Sequence, residues 1–179
     1  MIVSTKNNRQ VVLRKLNADD YSNLCAYLDK LSINTRKRFG PHPFDRNSVV
    51  EFYQNDFHTG YIAQETETSE IVAYSIIKIG FLEHDAFRLQ SYGLKLDNKT
   101  DATFAPSVAD NWQSQGIGNA LFQFIVSDLK LLDIRRVILW GGVQVDNHKA
   151  VNYYRKNGFH TLGEFHCNGP NYDMVLQDI

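Results

Sequence analysis

The chain has little cysteine, almost no net charge and no long apolar run. Two cysteines, Cys25 and Cys167, are too few for a disulfide framework, so we expect a cytoplasmic protein. A formal net charge of −1 excludes a general electrostatic attraction to nucleic acid or to an anionic membrane. No apolar run approaches the roughly 20 residues of a membrane-spanning helix, and the N-terminal segment is too polar for a signal peptide. We therefore expect neither nucleic-acid nor membrane partners.

The balance of apolar and charged residues is that of a folded globular protein. Apolar residues make up 43% of the chain and charged residues 22%, which excludes an intrinsically disordered chain. A chain of 179 residues can bury roughly 70% of its unfolded surface, so it needs neither disulfides nor a metal to fold. We predict a single domain over residues 1–179.

Hydrophobic spacing in the first half predicts a strand, two helices and a β-hairpin. The second strand of the hairpin is apolar on both faces, which is typical of a central strand. Residues 80–101 show no clear pattern beyond one short helix. The predicted elements are a strand at 11–13, a helix beginning at 17–20, a loop at 36–43, a helix capped by Asp45, and strands at 60–64 and 71–79.

The second half alternates between strands and helices and ends in a hairpin. Gly158 follows the last predicted helix, at a position where a left-handed residue commonly ends a helix. The whole order indicates a mixed α/β domain with one central sheet. The predicted elements are strands at 103–109 and 137–140, helices at 117–132 and from 146 to 157, and a terminal hairpin at 159–165 and 172–176.

A glycine-containing loop, Gln113–Asn119, lies between a predicted strand and the following helix. Its glycines, Gly116 and Gly118, allow a tight turn and a close approach of a ligand to the main chain. The first turn of a helix presents N–H groups without intrahelical acceptors and the positive end of the peptide dipole, which together favour anions. The loop is therefore a candidate site for a phosphate or pyrophosphate. A tight turn that binds nothing would also place glycine here.

Two common phosphate-binding motifs are excluded by the residues of this loop. A P-loop needs Lys and then Ser or Thr directly after its second glycine, and neither Gly116 nor Gly118 is followed by that pair. The dinucleotide-binding fingerprint needs a third glycine where Leu121 stands.

A second motif lies in the helix after the next strand. Asn147, Ala150, Tyr154, Gly158 and Phe159 follow one another at the spacing Asn-x-x-Ala-x-x-x-Tyr-x-x-x-Gly-Phe. The glycine loop has Gln, two residues, Gly, one residue and Gly. With both motifs, the chain resembles the GNAT superfamily of N-acetyltransferases.

The resemblance covers residues 103–165 and implies the mixed α/β acyl-CoA N-acyltransferase fold, with a central, mostly antiparallel sheet and helices on both faces. In that fold the family's fourth and fifth strands, here 103–109 and 137–142, splay apart. The resemblance implies that acetyl-CoA lies in the opening, with the backbone of Val108 and Ala109 along its pantetheine arm.

The same resemblance assigns the main-chain amides of the glycine loop to the pyrophosphate of the cofactor. It assigns Asn147 to a hydrogen bond with the cofactor's arm, and a plain helix cap is the alternative role. No metal is implied. The amides concerned are those of Gln113, Ser114, Gln115, Gly116, Ile117, Gly118 and Asn119.

Tyr154 occupies the family position that protonates the departing thiolate. A model thiol has a pKa of about 8.5 and tyrosine about 10, so full proton transfer is uphill by about 2 kcal/mol. The site must offset that cost, or Tyr154 only donates a hydrogen bond to sulfur. Packing on the helix face is the alternative role, for which we expect Tyr153 instead.

The base that deprotonates the acceptor amine is not assigned by the sequence. Many relatives have a glutamate five residues before the helix asparagine, where this chain has Gly142. The Gly141–Gly142 pair alternatively opens room for the acceptor. A base acting through water is a further possibility. The candidate bases are Asp146, His148, Asp110 and the cluster Glu83, His84 and Asp85.

We therefore expect an acetyl-CoA-dependent N-acetyltransferase in which a primary amine attacks the thioester directly in a ternary complex. The acceptor is a small molecule, an amino sugar or a protein amine. The alternative is a catalytically silent CoA-binding sensor or scaffold, which the missing glutamate favours. Transfer of a longer acyl chain is a third hypothesis.

An edge strand near Tyr172 offers a homodimer contact. The cations at Arg36–Arg38 and Arg46 are predicted to form a solvated face or, alternatively, to line the acceptor entrance.

Overall fold

A computed structural model describes residues 1–55 and 57–179. Strands and helices alternate along the described chain in nearly the order that the sequence predicts. The elements are β1 (Ile2–Ser4), β2 (Gln10–Lys15), α1 (Tyr21–Lys30), α2 (Ile33–Arg38), α3 (Arg46–Phe52), β3 (His58–Glu65), β4 (Ile71–Ile79), α4 (Glu83–Ser91), β5 (Asp101–Val108), α5 (Ile117–Leu131), β6 (Arg136–Leu139), β7 (Val143–Gln144), α6 (His148–Lys156), β8 (His160–His166) and β9 (Pro170–Gln177).

The chain forms two compact units, and the boundary between them falls within β4, β5 and α5. In unit 1 the strands follow the order β1-β2-β3-β4-β5, and in unit 2 β5 is followed by β6 and β9. The pairs β1–β2, β2–β3, β6–β9, β7–β9 and β8–β9 are antiparallel, whereas β5 and β6 are parallel. The predicted mixed α/β class with a mostly antiparallel sheet is confirmed. The units are residues 1–77 with 105–125, and 78–104 with 126–179.

The core of unit 1 follows the periodicities of its sequence. Along β2, Val11 and Leu13 are fully buried, because alternate residues of a strand face the same side. Along α1, Leu24 and Leu28 are fully buried one helical turn apart. Residues 71–77 of β4 are all buried, so the prediction of a strand covered on both sides is confirmed.

Unit 2 has its own small core beneath α4. Leu89 and Leu94 pack with Ile138 of β6 and Val175 of β9. Ile138 and Val175 face each other across the antiparallel pair, which brings the two β-branched side chains together. α4 therefore supplies part of this core. Residues 80–101, for which the sequence showed no clear pattern, are an integral part of unit 2.

The terminal hairpin is confirmed, but its predicted edge strand is not an edge. β9 pairs with β8 on one side and with β6 and β7 on the other. Tyr172 is itself paired with Val143 and Glu164. Its backbone is therefore already used within unit 2, and the homodimer contact predicted through this strand is wrong.

One strand was missed by the sequence analysis, and one other prediction needs correction. The polar N-terminus contains a short strand, β1, because Ile2–Ser4 pairs with β2. Residues 36–38 belong to α2 rather than to a loop, since Ser32 caps a helix there by accepting a hydrogen bond from the Thr35 amide. Among the residues that the structure describes, none of the helices has the combination of length and apolarity that crossing a bilayer requires.

A buried ion pair fixes the start of β5 in unit 2. The guanidinium of Arg136 donates from Nε to Oδ1 and from Nη2 to Oδ2 of Asp101, both at 2.8 Å. The Asp101 side chain is 1% exposed. This bidentate geometry satisfies both carboxylate oxygens, which a buried charge requires.

Arg136→Ala should lower the free energy of unfolding by about 3–5 kcal/mol, because it leaves a buried carboxylate without its cation. Urea denaturation measures the loss. Lys30→Ala is the matched control, since the Lys30–Glu70 ion pair is exposed and should be worth less than about 1 kcal/mol. Equal losses for the two variants would contradict this account.

Candidate active site

The glycine loop of unit 1 has the backbone conformation that its residues predict. Ser114 and Gly116 have positive φ angles of 63° and 94°. The Ala120 amide donates to the Gly116 carbonyl at 3.0 Å, which closes the first turn of α5. At the start of α5, the N–H groups of Gly116 and Ile117 precede the first carbonyl of the helix that could accept from them, so they point toward the N-terminal end of the helix. A Cβ on Gly116 would meet no atom within 4 Å, so a ligand has room to approach this backbone.

The loop is held in place by hydrogen bonds within unit 1. The Gln115 carbonyl accepts from the Lys6 amide at 3.2 Å, and its side-chain Nε2 donates to the Asn111 carbonyl at 2.9 Å. Trp112, at the start of the loop, is 3% exposed and lies beneath the guanidinium of Arg9. These contacts fix the loop before a ligand binds, which lowers the entropy cost of binding.

The end of β5 supports only part of the predicted contact with the cofactor's arm. The Ala109 amide donates to the Val72 carbonyl at 2.9 Å, and the Ala109 carbonyl accepts from the Trp112 amide at 2.8 Å. The N–H of Ala109 is therefore not available to the pantetheine arm, whereas its carbonyl keeps a second lone pair and can still accept a hydrogen bond from it. Successive residues of a strand point their N–H groups to opposite sides. The N–H of Val108 therefore points away from β4.

Gln113 has a role in this arrangement that the motif alone does not define. Its Nε2 donates to the carbonyl of Val108 at 3.1 Å. The side chain therefore joins the first residue of the loop to the last residue of β5. This contact keeps the orientation of the Val108 peptide tied to that of the loop.

Asn147 begins α6 in unit 2 and is a helix cap. Its Oδ1 accepts from the Ala150 amide at 3.3 Å, as the alternative role requires. Within the described chain, no residue accepts a hydrogen bond from its Nδ2. Because capping uses only the oxygen, the amide nitrogen can still donate to a ligand.

Tyr154 is 8% exposed and lies against Phe159, with ring centroids 5.5 Å apart. Its hydroxyl makes no hydrogen bond to any residue that the structure describes. Burial raises the pKa of Tyr154, so the phenol stays protonated at neutral pH. Tyr153, which we expected to be the packing residue, is the less buried of the two. That expectation is wrong.

Gly142 cannot be replaced by the glutamate of the family pattern without rearrangement. Its φ is 75°, and a Cβ would lie 2.7 Å from the Phe165 ring and 2.7 Å from the Tyr172 carbonyl oxygen. Gly141, with a φ of 63°, has open space around it. The hypothesis that the glycine pair opens room for the acceptor is therefore wrong at Gly142, which is closed by its own neighbours.

Gly142→Ala should destabilise the protein by about 1–3 kcal/mol more than Gly141→Ala, because only the first combines a left-handed backbone with overpacking. The two substitutions are matched, since both place alanine at a positive φ. Urea midpoints of the two variants measure the difference. Equal destabilisation would mean that Phe165 and Tyr172 do not confine Gly142.

Two of the six predicted bases, Asp110 and Asp85, are engaged in hydrogen bonds within the protein. Asp110 accepts hydrogen bonds from the Ser32 amide and hydroxyl, each at 2.9 Å, and from the Thr35 hydroxyl at 2.8 Å. Burial opposes the shift, but these hydrogen bonds hold the pKa of Asp110 below its ordinary value. Asp110 is therefore a weak base. Asp146 and His148 are exposed on either side of Asn147.

Within the predicted cluster Glu83, His84 and Asp85, the first two residues are exposed and the third is paired with an arginine. Asp85 is buried and accepts from Arg88 at 2.8 Å, and Arg88 also binds Asp173 at 2.7 Å. Every buried carboxylate that the structure describes is likewise paired with an arginine. The pairs are Asp20 with Arg14, Glu65 with Arg9, Asp85 and Asp173 with Arg88, and Asp101 with Arg136.

The cations of the first half partly match the predicted solvated face. Arg36 lies 3.8 Å from Asp29 and over the ring of Phe44, while Arg46 donates to the Ser22 hydroxyl. All four cations are exposed. These contacts fit a solvated face and give no evidence that the cations line the entrance for the acceptor substrate.

A buried polar cluster in unit 1 was missed by sequence reasoning. His42 is 5% exposed, donates from Nδ1 to the Pro43 carbonyl at 2.6 Å, and accepts at Nε2 from the Tyr74 hydroxyl at 2.9 Å. The Tyr53 hydroxyl also bonds to that of Tyr74. These residues lie on a loop, directly after α3 and on β4, so no local spacing connects them. A histidine between two prolines was the only local signal.

Burial lowers the pKa of His42 below its ordinary value, so its neutral form is the stable one in the fold. In the unfolded chain a histidine titrates near 6.5, where it binds more protons. Stability should therefore fall as the pH drops below about 6.5. Unfolding of the wild type and of His42→Gln at about pH 7.5 and pH 5 measures this term. An equal fall in both proteins would assign it to other groups.

The sequence and the fold agree on the class of protein. A model of the GNAT acetyltransferase family matches residues 26–159. The chain belongs to this family. Among curated proteins, none matches the sequence at a significant level.

Solved structures with this fold include three whose descriptions are informative. The GNAT domain of S. lividans PAT is 18% identical, with a TM-score of 0.77 over 99% of this chain and 96% of that one. Spermidine N-acetyltransferase from Vibrio cholerae, in complex with CoA and spermine, is 17% identical, with a TM-score of 0.67 over 94% and 95%. The ribosomal-protein-S18-alanine N-acetyltransferase from Escherichia coli is 17% identical, with a TM-score of 0.62 over 94% of each chain.

Proposed function

We propose that the protein is an acetyl-CoA-dependent N-acetyltransferase in which a primary amine attacks the thioester directly. The observation that carries the proposal is the geometry of the glycine loop. Its backbone is open at Gly116, the first amides of α5 point toward the N-terminal end of the helix, and the loop is fixed by Lys6 and Trp112. Such an arrangement suits the diphosphate of CoA because amides and the helix dipole bind anions without a counter-cation.

We propose two further contacts with the cofactor. They are donated by the backbone N–H of Val108 and by the side-chain Nδ2 of Asn147. The Val108 N–H points away from β4, and the Nδ2 of Asn147 is not used by its cap. We assign both donors to the arm of acetyl-CoA, and the loop amides of 113–119 to the diphosphate. The acetyl thioester supplies the electrophilic carbon of the reaction.

Tyr154 is the proposed donor to the departing sulfur. Because burial raises its pKa, the phenol is neutral and ready to donate, yet complete proton transfer to a thiolate becomes harder. We therefore assign to it a hydrogen bond that strengthens as negative charge develops on sulfur. Interactions of this kind lower the barrier because they are stronger in the transition state than in the ground state.

The acceptor must lose a proton before attack, since an ammonium has no lone pair. The described buried carboxylates are all paired with arginines, so we assign deprotonation to solvent or to an exposed group. Asp146 and His148 remain candidates for that group. With such a base, the rate should rise with pH as more of the amine becomes neutral.

A catalytically silent CoA sensor is the second candidate function. The sensor is favoured by the closed position of Gly142 and by the arginine partners of the described buried carboxylates, so none of those carboxylates is an unpaired base. A cytoplasmic location and a homodimer through another surface stay predictions. The acceptor is a small amine, an amino sugar or a protein amine.

A thiol-release assay with acetyl-CoA separates the two functions. The panel should contain spermidine, an alanine-terminated peptide, an amino sugar and a lysine peptide, since relatives with this fold are described as acting on spermidine and on a protein alanine. We expect at least one amine to release CoA faster than buffer does. Silence across the panel, with acetyl-CoA bound, would support the sensor.

Tyr154→Phe should lower kcat by about 10² while the Kd for acetyl-CoA stays within about threefold, because the change removes only a donor to the developing thiolate. Tyr153→Phe is the matched control and should leave kcat unchanged within about threefold. Steady-state kinetics and calorimetry give the two quantities. An unchanged kcat in Tyr154→Phe would remove the donor role.

A further inference from the structure

Asp110 joins two segments that are far apart in the sequence. It is the first residue of the 3-10 turn Asp110–Trp112, which leads directly into the glycine loop. Its carboxylate accepts three hydrogen bonds from Ser32 and Thr35, at 2.8–2.9 Å. These two residues form the start of α2, where Ser32 is the N-cap.

The turn Asp110–Trp112 is connected to the glycine loop by the chain itself and by a hydrogen bond. The Trp112 amide donates to the Ala109 carbonyl, and the Trp112 side chain is buried. From within the loop, Gln115 Nε2 donates to the carbonyl of Asn111, the neighbour of Asp110. A ligand that further stabilises this already fixed loop should therefore also stabilise the position of Asp110.

On the other side of Asp110, α2 has few contacts of its own. It is a helix of six residues, none of which is buried. A helix this short is marginal in isolation. The carboxylate of Asp110 satisfies the Ser32 amide and orients the Ser32 hydroxyl, which caps α2 through the Thr35 amide at 3.3 Å. The order of α2 therefore depends on Asp110.

We propose that Asp110 is a positioning residue that couples the cofactor loop to α2, so that binding of CoA at the loop stabilises residues 32–38. The inference rests on the proposed function for the identity of the ligand. α2 carries Arg36, Lys37 and Arg38 at its C-terminal end, so these cations would be fixed together with the helix.

Hydrogen exchange of the full chain, with and without CoA, tests the coupling. In the wild type, CoA should slow exchange across residues 32–38 by about fivefold or more. In Asp110→Ala the segment should exchange faster without ligand, and CoA should no longer slow it. Because coupling between two sites is reciprocal, calorimetry should give a Kd for CoA that is weaker in Asp110→Ala than in the wild type by about the same factor.

Asp45→Ala is the matched control. Asp45 caps α3 by accepting from the Ser48 amide and hydroxyl, in the same unit but without a bond to the loop. Its loss should speed exchange in α3 and leave the response of residues 32–38 to CoA intact. Thr35→Val removes one of the three hydrogen bonds to the Asp110 carboxylate. It should weaken the slowing of exchange by CoA at residues 32–38 without abolishing it.

The outcomes separate the two ideas. Bound CoA with unchanged exchange at residues 32–38 in the wild type would overturn the coupling alone. A full response in Asp110→Ala would overturn it as well. A wild type that gives no heat with CoA or acetyl-CoA would instead refute the proposed function, on which the coupling depends. If Asp110→Ala fails to fold, Thr35→Val still decides the question, because a wild-type effect of CoA on exchange at residues 32–38 in that variant would overturn the coupling.

Discussion

The main-chain amides at the N-terminal end of α5 determine what the glycine loop can bind. A helix begins with N–H groups that its own carbonyls cannot satisfy, and this chain leads into them with residues of positive φ at Ser114 and Gly116. Lys6, Asn111 and a buried Trp112 fix the backbone from behind. Affinity for a diphosphate then follows from the position of the main chain, with no cationic side chain required by the motif.

The chemistry expected of unit 2 is limited by what burial does to its side chains. Tyr154 is a neutral phenol whose pKa is raised by burial, which suits a hydrogen-bond donor better than a full acid. Gly142 leaves no space for a carboxylate, because Phe165 and the Tyr172 carbonyl occupy it. Under the proposed function, catalysis relies on positioning and on the fraction of the amine that is already neutral, rather than on a strong base.

Local signals were sufficient for most elements and for both motifs, because helix periodicity, caps and glycines at positive φ are read from adjacent residues. They failed where partners come from distant segments. The amide of Ala109 is used by Val72, and Asp110 by Ser32 and Thr35, so neither was available for the role that the sequence suggested. The confinement of Gly142 and the bond between His42 and Tyr74 likewise depend on residues far along the chain.

The most direct test is a backbone-amide NMR titration with CoA and, separately, with pantetheine, which lacks the diphosphate. If the loop amides hold the diphosphate, CoA should shift the amide signals of Gly116, Ile117 and Gly118 strongly, whereas pantetheine should leave them nearly unchanged. Saturating CoA that binds without moving these signals would contradict the account.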